Sequence, residues 1–283
     1  MTGTAGRWWK AAGLAAALAL TGCASVLRDH IYQADPRPVH IGDYTGRKPE
    51  TLTVRTTDGM ALTGYYWRGA PDDHDVILFF HGRGSNQGIA ARYAEQLTGR
   101  GDHVVVVSYR GFGGNPGTPT QAGLIADGLA FTARARDLAG PNAHLFLVGH
   151  SLGGAVALHV GARVPVSGVA TLSAFDRLAE SAPAGTGSLL PDRWNNLEAL
   201  PRIEAPVIMM QGTADRRVDA AQADRLFAAA RSPTVRISMT GAGHHPDMAR
   251  IGPVITQWVA AIDAGRFATY SPAIPAGWAM ERK

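Results

Sequence analysis

The chain has 283 residues, of which 46% are hydrophobic and 18% are charged, with 34 glycines and 17 prolines. This composition fits one large globular domain and excludes a disordered chain, which has fewer apolar residues and more charge. The net charge of +4 comes without a basic block or stripe, so nucleic acid is not expected as a partner. Cys23 is the only cysteine, which excludes an intramolecular disulfide.

The N-terminus carries the pattern of a secretory signal. Arg7 and Lys10 precede a charge-free apolar run, residues 11–20, which is too short for an ordinary membrane span. The run leads into Leu-Thr-Gly-Cys at residues 20–23, which resembles the lipobox of bacterial lipoproteins. That resemblance implies cleavage before Cys23 and lipidation of its sulfur and of its new amine, and several acyl chains anchor a protein stably. The alternative is an ordinary signal peptide with an incidental cysteine.

The lipobox resemblance makes residues 1–22 a signal peptide and places the protein in a bacterial cell envelope, bound to the membrane through Cys23. Ala24, and not Asp, follows the cysteine. In a Gram-negative source this pattern is typical of lipoproteins that are sorted to the outer membrane and face the periplasm. Residues 23–50 are polar, contain Pro36 and Pro38 and show no sustained periodicity. They are interpreted as a tether that leads into the domain.

From residue 51 to about residue 265 the pattern is that of an α/β domain. Residues 51–57 and 60–67 alternate or carry β-branched and aromatic side chains around Asp58-Gly59, which predicts a hairpin. Six apolar runs follow and alternate with segments of helical spacing, as in strands buried on both faces. We therefore predict a mostly parallel eight-stranded sheet with helices on both faces, and leave residues 266–283 as a tail. The six runs are Val76–Phe80, His103–Ser108, His144–Val148, Val166–Leu172, Pro206–Gln211 and Val235–Met239.

The clearest chemical motif is G-H-S-L-G at residues 149–153. It follows a predicted strand directly and precedes an alanine-rich helical segment, which is the setting of a nucleophile elbow. A sharp turn between strand and helix needs glycines on both sides of its central residue. It presents the Ser151 hydroxyl at a helix N-terminus, where developing negative charge is favoured. The alternative is a glycine-rich turn with a capping serine, which the strand and helix flanks disfavour.

A serine hydroxyl needs a base, and the base needs an orienting acid; after an elbow serine these follow in the order acid, then histidine. Asp215 ends a G-T-A-D turn after one predicted strand, and His244 follows a pair of glycines after the next strand. Both positions lie at the carboxyl edge of a parallel sheet, as Ser151 does. Two alternatives stay open: Asp176, which follows an earlier strand, as the acid, and His245 as the base.

The loop H-G-R-G-S at residues 81–85 follows the first buried strand. A tetrahedral intermediate places negative charge on an oxygen that fixed N–H groups stabilise. The predicted donors are the backbone N–H groups of Arg83 and of Leu152, the residue after the nucleophile. The glycines at 82, 84 and 88 also nearly match a dinucleotide fingerprint, with Arg110 as a phosphate partner. That interpretation has the wrong spacing and leaves the elbow unexplained.

Together these motifs resemble the α/β-hydrolase superfamily, in its serine aminopeptidase-like branch, over roughly residues 51–265. The Y-R-G-F-G turn at residues 109–113 matches that branch as well. The resemblance implies a triad of Ser151, Asp215 and His244. Gln211 stands where that branch usually has a histidine.

A short cap is expected at about residues 176–203, too short for a separate lid domain. Three large apolar side chains within it have two interpretations: they line an acyl-binding wall, or they only pack the cap against the sheet. These are Leu189, Leu190 and Trp194.

The sequence therefore predicts a lipid-anchored serine hydrolase that cleaves carboxylic esters or thioesters through an acyl-enzyme intermediate, with a small acyl ester or a lipid as substrate. A peptidase is the nearest alternative, because family likeness does not fix the substrate. A non-catalytic envelope protein on the same fold is the third. No metal or organic cofactor is implied, since the ten histidines form no metal-binding motif. The sequence carries no signal for an oligomeric state.

Overall fold

One sheet organises the part of the chain that the computed structural model describes, which is residues 24–181, 187, 190–245 and 247–283. Its strand order is β1-β2-β4-β3-β5-β6-β7-β8-β9, and β3 to β8 are mutually parallel. Strands β1, β2 and β9 join antiparallel at the two ends. The strands are β1 Glu50–Arg55, β2 Ala61–Trp67, β3 Asp75–Phe80, β4 His103–Val107, β5 His144–His150, β6 Gly168–Leu172, β7 Val207–Gly212, β8 Thr234–Met239 and β9 Trp278–Arg282.

Helices cover both faces of the sheet, as the alternating burial along β3 shows. Val76, Leu78 and Phe80 pack in the core formed with α3, α4 and α6, whereas Ile77 and Phe79 pack on the other face with α2 and α7. The predicted α/β-hydrolase class is confirmed. The helices are α1 (residues 24–32), α2 Gln87–Ala94, α3 Gln121–Ala139, α4 Leu152–Gly161, α5 Asn196–Ala199, α6 Ala220–Ala229 and α7 Met248–Asp263, with 3-10 turns at Ile41–Asp43, Glu95–Arg100, Leu178–Ser181 and Leu200–Arg202.

The sheet has nine strands in the described residues, where the sequence predicts eight. The ninth, β9, lies in the predicted tail 266–283 and pairs with β8 from Val235↔Arg282 to Met239↔Trp278. Its burial alternates between half-buried and exposed residues, as expected of an edge strand. The sequence missed it because a short segment next to prolines and a glycine carries little strand signal. The domain therefore extends beyond residue 265.

The segment predicted as a tether also lies against the domain. Helix α1 packs through Ile31 and Tyr32, which are 6% and 0% exposed. Tyr32 accepts a hydrogen bond from the Trp194 indole at 3.2 Å, and Tyr44 is buried further along. Spaced aromatic anchors in a polar stretch give no periodic pattern, so their burial depends on tertiary contacts. Residues 1–23, including Cys23, lie outside the described residues.

None of the helices in the described ranges has both the length and the apolar character that crossing a membrane demands.

A buried ion pair, centred on Arg110 after β4, joins the turn of the first hairpin to helix α3. The Arg110 guanidinium donates to both oxygens of Asp127, at 2.7–3.1 Å, and to the Asp58 carboxylate in the hairpin turn. Asp127 is fully buried and also accepts the backbone N–H of Arg110 at 2.9 Å. Arg110 is thus committed to two carboxylates, and the interpretation of this residue as a phosphate partner is wrong.

Removing Arg110 leaves a buried, unpaired carboxylate, which costs about 3–5 kcal/mol in comparable cases. We expect Arg110→Met to lower the free energy of unfolding by about that amount, measured by urea denaturation. The double variant Arg110→Met/Asp127→Leu should recover most of the loss, because it removes the orphaned charge. Arg37→Met, in the exposed pair with Asp35, is the matched control and should leave the urea midpoint unchanged. A single variant as stable as the wild type would contradict this account.

Candidate active site

The turn between β5 and α4 holds Ser151 in a strained backbone conformation, with φ 54° and ψ −118°. Gly149 and Gly153 make it sterically possible. A Cβ on Gly149 would lie 2.3 Å from the Gly153 carbonyl oxygen, and one on Gly153 would lie 2.0 Å from the Phe80 carbonyl oxygen. The Ser151 N–H is fixed by the Leu172 carbonyl on the neighbouring strand at 2.9 Å. This is the geometry that the G-H-S-L-G motif predicts.

Three side chains from three strand ends meet at this turn. The Ser151 hydroxyl lies 3.0 Å from Nε2 of His244, and Nδ1 of His244 lies 2.9 Å from Oδ2 of Asp215. In the tautomer that satisfies both contacts, Nδ1–H donates to the carboxylate and Nε2 accepts the serine O–H. The structure thus brings together the three residues proposed from sequence, and in the order that proton transfer from serine to imidazole requires.

The Asp215 carboxylate is held as an anion by donors of its own loop. Burial raises its pKa, but hydrogen bonds from the Val218 and Arg217 N–H groups to Oδ1, at 3.0 and 2.8 Å, outweigh this and leave the pKa lowered. The Gln211 amide donates to Oδ2 at 3.2 Å and to the Val218 carbonyl at 2.9 Å. Gln211, seen in the sequence only as a departure from the branch, therefore positions the acid.

His150, within the G-H-S-L-G motif, supports the His244 loop. Its Nε2–H donates to the His244 carbonyl at 2.9 Å, and the two rings lie 5.1 Å apart. Burial lowers the pKa of His150 to about 4, so this ring is neutral at pH 7. Burial also lowers the pKa of His244, and outweighs the opposing effect of Asp215. The position of His150 beside the elbow serine is the sequence signal that could have indicated this role.

The structure also decides between the open alternatives for acid and base. Asp176 is fully buried and accepts from Arg225 Nε at 2.6 Å and from the Arg177 N–H at 2.6 Å, so it braces α6 and not the imidazole. His245 is exposed, and its ring lies against those of His150 and His244 at 6.0 and 5.8 Å. Within the described part of the chain it makes no hydrogen bond to Ser151.

The loop at residues 81–85 runs beside the elbow. A Cβ on Gly82 would lie 3.4 Å from the Ser151 Cβ, and the Gly84 N–H donates to the Tyr32 carbonyl of α1 at 3.1 Å. Arg83 and Leu152 both line the cavity that contains the Ser151 hydroxyl, as the predicted N–H donors must. Among described groups, neither backbone N–H donates a hydrogen bond, which leaves both available to an oxyanion.

The cleft at Ser151 has a volume of about 290 Å³, close to the lower end for small-ligand sites. Its lining combines apolar and basic side chains, and the described lining contains no carboxylate. The apolar residues are Ile31, Leu152, Phe175, Leu178 and Val218, and the basic ones are His30, Arg83 and Arg217 beside His244.

Of the three cap residues considered from sequence, Trp194 is fully buried and Leu190 packs against the core, so these two hold the cap on the domain. Leu189 lies outside the described residues. The cap contributes Leu178 to the cleft instead.

Two groups of acidic and histidine side chains lie at the opposite edge of the sheet, where β3 to β5 begin. Within each group the possible ligand atoms are close enough together to hold a cation. Arg100 Nη2 is 3.5 Å from a carboxylate oxygen of both Asp75 and Asp102, so a cationic group already faces them. Neither group is near the cleft. The groups are Asp75, His144 and Asp263, and Asp73, Asp75 and Asp102.

A parallel sheet with a strained serine after β5, and a carboxylate and imidazole after β7 and β8, defines the α/β-hydrolase architecture. Residues 71–197 match the family described as serine aminopeptidase, S33. The uncharacterized protein Rv2307c of Mycobacterium tuberculosis is 33% identical over 206 residues, which cover 69% of this chain and 72% of that protein. The chain belongs to the α/β-hydrolase superfamily, in its serine aminopeptidase-like branch.

Solved structures agree on the fold. The esterase domain of a Rhodothermus marinus protein superposes with a TM-score of 0.59 at 23% identity, covering 77% of this chain and 99% of that chain. The Pyrococcus furiosus esterase Pf2001 gives a TM-score of 0.63 at 17% identity, covering 82% and 98%. At these identities the likeness shows a shared fold.

The lowered pKa of His244 has a measurable consequence. A base must be neutral to accept the serine proton, so kcat/KM on a neutral ester should rise with pH and level off, with a midpoint below the ordinary value of 6.5. Arg217 also lowers this pKa, so Arg217→Gln should move the midpoint upward. The neighbouring Arg216→Gln should leave it in place. A midpoint above 7, or one that stays unchanged in Arg217→Gln, would be inconsistent with His244 as the base.

Proposed function

We propose that this protein is a serine hydrolase that cleaves carboxylic esters or thioesters. The observation that carries the proposal is the pair of contacts joining Ser151, His244 and Asp215 at one end of an acyl-sized cleft. Two unoccupied N–H groups, of Arg83 and Leu152, border the same space. Nucleophile, base, orienting acid and oxyanion donors are the set that acyl transfer needs.

The reaction proceeds in two halves. His244 Nε2 takes the hydroxyl proton as Ser151 Oγ bonds to the acyl carbon, and the oxyanion faces the two N–H groups. The bond to the alcohol or thiol then breaks, and the leaving group takes that proton from the imidazolium, which Asp215 stabilises. Water, deprotonated by the same imidazole, releases the acyl group as a carboxylic acid and restores the serine.

The cleft lining favours an ester over a peptide. An aminopeptidase has to accommodate a protonated amine next to the scissile bond, and a carboxylate is the usual partner for such a group. The described lining offers arginine side chains and an apolar wall, and Asp215 is engaged by His244 and its own loop. An acyl chain fits this wall, whereas an ammonium group would face like charges.

We expect an alkyl fluorophosphonate to label the wild type at Ser151, since the reagent needs an activated serine. Ser151→Ala and His244→Gln should not be labelled, and Ser151→Ala should lose about 10⁴-fold or more in turnover. His245→Gln, next in sequence but outside the triad contacts, is the matched control and should keep most of the labelling. Loss of labelling in His245→Gln with retention in His244→Gln would reverse the assignment of the base.

A panel of 4-nitrophenyl esters of increasing chain length, run beside amino-acid arylamides, separates the esterase from the peptidase. The proposal expects ester turnover without arylamide turnover. A wild-type protein that is folded, unlabelled and inactive on the whole panel would instead be a non-catalytic binding module.

We also propose that Cys23 carries the lipid anchor, so that the protein lies at the membrane of the cell envelope. Helix α1 starts at residue 24 and ends at the cleft, to which it contributes His30 and Ile31. Its nine residues span about 13 Å at the usual helical rise. Val26 on this helix is 68% exposed, which is unusual for a large apolar side chain in this structure. An anchor at Cys23 would therefore hold the cleft close to the membrane surface.

Metabolic labelling with an alkyne-tagged fatty acid tests the anchor. We expect the wild type to be labelled and to sediment with membranes, since two or more acyl chains hold a protein stably. Cys23→Ala should lose both the label and the sedimentation, while Ser25→Ala should keep them. A labelled Cys23→Ala protein, or an unlabelled wild type, would mean that the anchor assignment is wrong.

A further inference from the structure

Two arginine side chains at the cleft have no acidic partner among the described residues. Arg83, on the oxyanion loop, and Arg217, on the loop of Asp215, both line the cavity that holds the Ser151 hydroxyl. Neither guanidinium makes a hydrogen bond or an ion pair within the described residues. By contrast, Arg28, Arg110, Arg225 and Arg236 each pair with a carboxylate.

The two guanidinium groups line one cavity and carry like charges. The pKa of Arg83 is lowered, first by partial burial and then by the charge of Arg217. Arg217 acts in the same direction on His244. Two like charges in the lining of one cleft, with no acid among the described lining residues, create a site whose electrostatic energy falls when an anion enters.

We propose that the substrate is an acyl ester whose alcohol carries an anionic group, a phosphate or a carboxylate, that Arg83 and Arg217 bind beside the scissile bond. This inference rests on the proposed function and specifies its substrate class. Ile31, Phe175 and Leu178 line the same cleft, and we assign the acyl chain to these apolar residues, which leaves the two arginines for an anion on the leaving group. Guanidinium groups suit this task because their planar fork donates two parallel hydrogen bonds to a carboxylate or phosphate.

Binding of the anion also assists the chemical step. Neutralising Arg217 removes a charge that opposes protonation of His244, so the imidazole becomes a better base when the correct substrate is present. The ester bond to the anionic alcohol breaks, the alcohol oxygen takes its proton from His244, and water then yields the free carboxylic acid. The products are a fatty or short-chain acid and a phosphate- or carboxylate-bearing alcohol.

The closing experiment compares pairs of esters that differ only in charge. The lipid pair is 1-octanoylglycerol 3-phosphate and 1-octanoylglycerol, and the soluble pair is 4-acetoxybenzoate and 4-acetoxybenzamide. For the full mature chain, we expect kcat/KM for the charged lipid to exceed that for the neutral lipid by about tenfold or more, as charge-assisted hydrogen bonds predict. Preference in both pairs means that the anion itself is recognised; preference in the lipid pair alone identifies a phosphate headgroup.

Variants test whether the preference for charged esters depends on the side chains of Arg83 and Arg217. Arg83→Gln and Arg217→Gln should each lower the charged-to-neutral ratio about fivefold, and the double variant should bring it to about one. Arg83→Gln keeps the backbone N–H, and the ratio corrects for any general change in activity. Arg217→Lys keeps the charge and should restore much of the ratio, and Arg216→Gln, on the same loop but outside the cleft, should not alter it.

The failures of the two proposals are distinguishable. Hydrolysis of the neutral esters with a wild-type ratio of one or less, or a double variant with the wild-type ratio, overturns the anion site alone. Absence of hydrolysis of all four esters, together with absence of fluorophosphonate labelling, overturns the hydrolase proposal and the anion site with it.

Discussion

The backbone at Ser151 is the constraint on which the rest of the site depends. A positive φ at a non-glycine residue costs on the order of 1–3 kcal/mol and persists only where the surroundings impose it. Here the neighbouring strand fixes the Ser151 N–H, while Gly149 and Gly153 let α4 approach the end of β3 within backbone contact. The strain is what projects the hydroxyl out of the sheet, toward a base that arrives from a strand three positions along the sheet.

Most of the hydrogen bonds that hold the rest of the site around that hydroxyl involve at least one backbone group. The acid is held by two N–H groups of its own loop, and the base loop is held by a ring nitrogen from inside the elbow motif. Helix α1 fixes the oxyanion loop through the Gly84 N–H. Such supports cost little entropy because the groups are already ordered, and they keep donors at fixed positions before a substrate arrives. Electrostatic preorganisation in this protein is therefore mostly a property of its loops.

Helix α1 connects two features that were separate in the sequence. It begins next to the cysteine of the lipobox-like motif and ends in the lining of the cleft. One short helix thus lies between the residue proposed as the anchor and the proposed catalytic centre. It also contributes one basic and one apolar residue, His30 and Ile31, to a cleft whose mixed lining suits an amphiphile.

The sequence by itself determined the α/β class, the elbow and the positions of Asp215 and His244, because strand periodicity and glycine-flanked turns are local and the carboxyl ends of parallel strands share one edge. Only the tertiary structure distinguished Asp215 from Asp176 as the partner of the imidazole, since both follow strands. Asp215 contacts His244, whereas Asp176 contacts Arg225. Long-range contacts likewise decided the packing of α1, the pairing of β9 and the placement of Arg83 and Arg217 in the lining of one cleft. Short or aperiodic segments gain their structure from what they pack against, so no local pattern encodes it.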